Sequence, residues 1–92
     1  MRYACPCCGF LTLSELPPGT FAICPICYWE DDNVQLNDPA YGGGANEESL
    51  RQARANYREF GASSRRVINL VRHPVEVEKP MNPLPDSQSD NL

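Results

Sequence analysis

The clearest periodicity along the chain lies in its second half. Leu50, Ala53, Tyr57 and Phe60 recur at intervals of three, four and three residues, which places one apolar stripe on an amphipathic helix. Asn46-Glu47-Glu48-Ser49 reads as its start, with Asn46 as N-cap and acids where the helix dipole favours them. Gly61 follows as the residue that closes it. Ser63–Arg72 is expected to form a second, shorter helix capped by serine, with Val67, Leu70 and Val71 inward. Its β-branched content leaves a strand open there, and Pro74 stops either element.

The first half has a different texture. Phe10–Leu13 and Phe21–Ile23 are short β-like runs, separated by a turn around Pro17-Pro18-Gly19. The pattern predicts a hairpin that pairs 10–13 with 21–23. Asn37–Gly44 is a loop by composition. From Pro74 onward, four prolines and a polar run read as an extended and then disordered tail. The expected organisation is one domain over 1–74 and a tail over 75–92.

Both β-like runs abut cysteines. Cys5, Cys8, Cys24 and Cys27 form two C-x2-C pairs with a gap of fifteen residues between them, spacing suited to a four-thiolate zinc site. Both pairs read C-P-x-C. Proline presets φ at the start of such a knuckle and has no amide to lose, while Gly9 can take the positive φ that ends it. Tyr28 stands where Gly9 does, so the two turns are expected to differ at that point. Two facing knuckles supply the tetrahedral sulfur cage that structural zinc prefers. The fold class is therefore a small α+β protein: a zinc-ribbon-like two-knuckle β-hairpin, followed by one long and one short α-helix.

Cys7 is the fifth cysteine. It occupies an x position of the first knuckle, where side chains point away from the metal, and is expected as a free thiol, a redox group or an alternative ligand. A disulfide framework fits poorly with an odd count, and adjacent Cys7 and Cys8 are badly placed for a bridge. No secretory segment is read ahead of Tyr3, so a reducing, cytoplasmic setting is the expectation. No run approaches bilayer length. A chain of 92 residues has a modest core and gains much from a metal.

The net charge of −4 is unevenly spread. Residues 1–50 carry seven acids against Arg2, whereas 51–72 carry six arginines against Glu59. Arg51, Arg54 and Arg58 share one helix face, and Arg65 and Arg66 follow. We read them as a charged surface that pairs with the acidic turn Glu30-Asp31-Asp32, or else as a binding surface for acidic protein or phosphate. The overall acidity disfavours non-specific nucleic-acid binding. The acidic turn fails as a calcium loop, because Leu36 stands where the turn glycine belongs. Gly42-Gly43-Gly44 lacks the Lys-Ser/Thr of a phosphate cradle. Trp29 is expected to cover the metal site or pack on the later helix. His73 is the only histidine, so no histidine-based hydrolytic site can be assembled.

The run Cys5-Pro6-Cys7-Cys8-Gly9, with Pro17-Pro18-Gly19-Thr20, Ile23-Cys24-Pro25-Ile26-Cys27, Trp29-Glu30-Asp31-Asp32 and Gly43-Gly44-Ala45-Asn46, resembles the cysteine-rich CPCC family. Phe60-Gly61-Ala62-Ser63 and Val71-Arg72 extend the likeness across 3–74. The resemblance implies a metal-binding single domain from a group of small, mostly bacterial proteins, and makes Cys7 part of the signature. It carries no activity, substrate or partner.

Three functions follow. The leading one is a non-enzymatic protein with one structural zinc, presenting a helical surface to a protein partner. A second is redox: the Cys-Pro-x-Cys-Gly knuckle also resembles rubredoxin, with iron in the cage, and Cys7 with Cys8 offers a thiol version. A nucleic-acid module built on the arginines ranks third. The oligomeric state is left open.

Overall fold

The computed structural model describes residues 2–80. Strand β1 (Tyr3–Ala4) pairs antiparallel with β2 (Leu11–Leu13), Tyr3 opposite Leu13 and Ala4 opposite Leu11. The first knuckle is the turn between them. The second knuckle repeats the arrangement: Ile23 bridges Glu30, and Phe21 and Asp31 add backbone bonds of 3.0 and 2.9 Å. Each hairpin thus closes around its own cysteine pair, and the expected pairing of 10–13 with 21–23 is corrected. The reason is the knuckle itself: bonds from the Cys5 amide to the Phe10 carbonyl and from the Cys24 amide to the Trp29 carbonyl already hold the two arms of each turn antiparallel.

The acidic turn expected to face the arginines leads into a helix. Helix α1 (Asn33–Asn37) is capped by Asp32, whose carboxylate accepts from the Val34 and Gln35 amides at 2.7 and 3.2 Å. Asp31 is fully buried and accepts from the Thr20 amide at 2.9 Å. The acids are engaged by backbone N–H groups, where the sequence suggested arginines.

Helix α2 (Leu50–Phe60) carries the expected stripe. Leu50 and Ala53 are fully buried, and Tyr57 meets Phe10 edge-on with ring centres 6.3 Å apart. Gly61 closes the helix at φ 83°, its N–H on the Tyr57 carbonyl at 2.9 Å. The N-cap is Ser49, which accepts from the Gln52 amide at 3.1 Å. Asn46 does other work, accepting from the Glu30 amide and donating to the Glu30 carbonyl, both at 2.8 Å.

The second helix expected over Ser63–Arg72 shrinks to a 3-10 turn at Arg65–Val67, opened by Ser64. Leu70 is 58% exposed, so the apolar side drawn for that helix is not buried as a unit. Folded chain also continues past Pro74. A 3-10 turn at Glu76–Glu78 lies against β2, and buried Glu78 receives Arg72 through bonds of 2.9 and 2.7 Å. The structured part therefore runs beyond the boundary expected at 74, and the tail expectation for 81–92 lies outside the described residues.

The fold is the small zinc-ribbon-like α+β class expected, with one long and one short helix, the short one coming first. Its core is the cage itself: the cysteines, Ile26, Trp29, Leu50 and Ala53, flanked by Phe10, Leu36 and Tyr57.

Candidate metal centre

One hydrogen-bond frame builds both knuckles. Cys5 donates its N–H to the Phe10 carbonyl at 2.9 Å, and the Gly9 N–H returns to the Cys5 carbonyl at 2.8 Å. In the second turn Cys24 donates to Trp29 at 3.0 Å, and Tyr28 returns to Cys24 at 2.7 Å. Gly9 and Tyr28 both take the left-handed conformation, with φ of 83° and 68°. The turns are equivalent at the point where the sequence marks them as different. Tyrosine holds that shape at a cost of about 1–2 kcal/mol, which glycine avoids.

The frame aims four sulfurs inward. Those of Cys5, Cys8, Cys24 and Cys27 all lie within 4.8 Å of one another. Two of the separations, Cys5 to Cys27 and Cys8 to Cys24, are 3.7 Å. A tetrahedral metal about 2.3 Å from each sulfur sets sulfur–sulfur edges of about 3.8 Å, so the cage has the size such an ion needs. All five cysteines are free thiols and buried, and Cys24 and Cys27 are wholly enclosed.

The thiols of the cage titrate as one coupled set. Hydrogen bonds from Cys27, Cys5 and Cys8, and a further one from Thr12, hold the Cys24 thiol far below its ordinary range. Cys8 and Cys27 are pushed up, each chiefly by its bond to Cys24. The four thiols compete for protons at close range, and a dication would supply the compensation that lets all four ionise. The Tyr57 phenol is pushed up as well, first by burial and then by the charge on Cys8, Cys27 and Cys24.

Two donors from outside the sulfur set reach Cys24. The Ile26 amide lies 3.4 Å from its Sγ, as expected for an amide inside the knuckle. The Thr12 hydroxyl, from β2 of the other hairpin, lies 3.0 Å away. Thr12 was not singled out from sequence; its one signal is a hydroxyl between Leu11 and Leu13.

Trp29 is 1% exposed within the cysteine core, as a shielding aromatic should be. Cys7 also packs in that core but is not one of the four clustered sulfurs. The arginines are largely engaged within the protein. Arg54 donates Nε to the Pro6 carbonyl at 2.9 Å. Arg65 stacks over Phe60 at 4.6 Å and faces Glu59 at 3.7 Å. Arg66 reaches Glu47 and Glu48 at 3.1 and 3.3 Å. Arg51 and Arg58 lie exposed on α2. His73 is exposed, apart from the cage. Among the described residues, no helix is long and apolar enough to cross a membrane.

Fold and site together define a small zinc-ribbon-like protein whose four cysteines can bind a metal. The family model for cysteine-rich CPCC proteins matches residues 3–78, and the chain belongs to that family. No curated protein matches it.

Proposed function

We propose that this protein binds one structural zinc through Cys5, Cys8, Cys24 and Cys27 and works without catalysis, as a cytoplasmic scaffold that presents a surface to a partner protein. The observation that carries the reading is the closed cage: four buried sulfurs, two pairs at a tetrahedral edge length. Four thiolates fill the coordination of zinc and leave no position for water or substrate. For a partner protein, the support is exposed apolar surface at Phe21, Ile23, Leu70 and Val77. The internal engagements of Arg54, Arg65 and Arg66 weaken the phosphate-binding alternative.

Native mass spectrometry with elemental analysis tests the metal. One zinc per chain is expected, lost in Cys24→Ser and kept in Cys7→Ser. Chelation should collapse the circular dichroism signal, since the core and the cage are the same residues. Native dichroism after chelation would count against a structural zinc, and iron in the cage, or no metal with oxidised cysteines, would replace this reading with a redox one.

A further inference from the structure

Thr12 and Cys24 belong to different knuckles, yet the Thr12 hydroxyl lies 3.0 Å from the Cys24 sulfur. A metal-bound thiolate has no proton to give, so in the loaded protein the hydroxyl can only donate. Cys24 also takes the Ile26 amide at 3.4 Å, whereas no donor outside the cysteine set is seen on Cys5, Cys8 or Cys27 among the described residues. The cage is therefore asymmetric. Thr12 also lines a cleft of about 330 Å³ with Arg2, Leu13 and Ser14, while Cys24 behind it is wholly enclosed.

We infer that Thr12 is a positioning residue for the metal. Its hydroxyl clasps one knuckle to the other knuckle's first sulfur, lowers the energy of the Cys24 lone pair, and makes Cys24 the last ligand to be released. This rests on the metal-binding reading above. Partners that orient and polarise a ligand typically change metal affinity about 10–100-fold when removed.

The test uses the full chain loaded with cobalt(II), whose sulfur-to-metal charge-transfer band reads the energy of the sulfur lone pairs. Thr12→Val keeps the shape of the side chain and removes the donor. It should shift the band to longer wavelength and speed chelator-driven metal release about tenfold or more. Thr12→Ser should restore both to the wild-type values. Thr12→Ala, with no packing demand of its own, gives the same reading should the valine variant fail to fold. An unshifted band in Thr12→Val, with one cobalt still bound and release within twofold of wild type, would overturn the inference and leave the metal site standing. A wild-type protein with no tetrahedral thiolate band would instead remove the metal reading itself, and this inference with it.

Discussion

Gln35 is the polar side chain on which most of the loop before α2 depends. Its amide nitrogen donates to the carbonyls of Tyr41, Asn46 and Glu48 at 3.1, 3.0 and 3.0 Å. Its oxygen accepts from the Asn46 amide and side chain at 3.1 and 2.9 Å. The residue is fully buried. Two amide hydrogens serve three carbonyls, so the network is worth about four bonds, at about 1 kcal/mol net each. Tyr41–Ala45 is exposed, and groups freed there regain water, which lowers the expected loss for Gln35→Ala to about 3 kcal/mol. A domain of this size has about 5–14 kcal/mol in all, so the variant should fold but melt about 12–24 °C lower. Urea unfolding of the metal-loaded protein, followed through Trp29, the single and buried tryptophan, measures the difference directly. Gln35→Glu should be at least as damaging near neutral pH, because a carboxylate then faces three carbonyls, and should recover in part as acid protonates it. Metal stoichiometry should not change in either variant. A loss below about 1 kcal/mol for the alanine variant would refute the claim that this network holds the loop.

Two further outcomes follow from backbone shape and charge. Tyr28→Gly should be more stable than Tyr28→Ala by about 1 kcal/mol, because both lose the ring but only glycine takes the left-handed turn without strain; urea midpoints decide it, and an alanine variant equal or superior would sink the argument. The Arg72 guanidinium, followed by the Val75 amide, holds the Glu78 carboxyl at about 2, below its ordinary 4.5. A depressed carboxyl stabilises the fold above 4.5 and loses that contribution as pH falls toward 2. Melting temperature against pH should therefore fall less steeply in Glu78→Gln than in wild type across that window, and parallel curves would count against the pair.

What could be read from the sequence was whatever depends on spacing. The cysteine intervals fixed the cage, and the Leu50–Phe60 stripe with Gly61 fixed the long helix, because in both cases chemistry repeats at a set distance along the chain. Strand pairing was not legible in this way. Strands of two or three residues carry no usable period, and the knuckles decide which arms meet. Capping misled for a related reason. Asn46 and Ser49 are both competent caps, and Gln35 and Glu30 claim Asn46 from across the fold. Acidity likewise suggested arginine partners for Asp31 and Asp32, whereas the Thr20 and Ala45 amides take their oxygens. Even the glycine loop is shaped from a distance. A Cβ on Gly44 would sit 2.7 Å from Asp32 Oδ2 and 3.0 Å from Gln35 Cδ.

The backward-facing carbonyls of the knuckles give the site a longer reach than its ligands suggest. Arg54 is seated on Pro6 O, the Ser63 amide on Cys27 O at 2.8 Å, and the Arg72 amide on Pro25 O at 3.1 Å. Those acceptors exist in the right places only while the turns around the sulfurs are formed. The inner face of each turn holds the clustered sulfurs and its outer face receives the chain that follows. Ligands confined to the first 27 residues are in this way the foundation on which residues 54–72 are laid, and whatever loosens the cage loosens the seat of a segment that contributes no ligand to it.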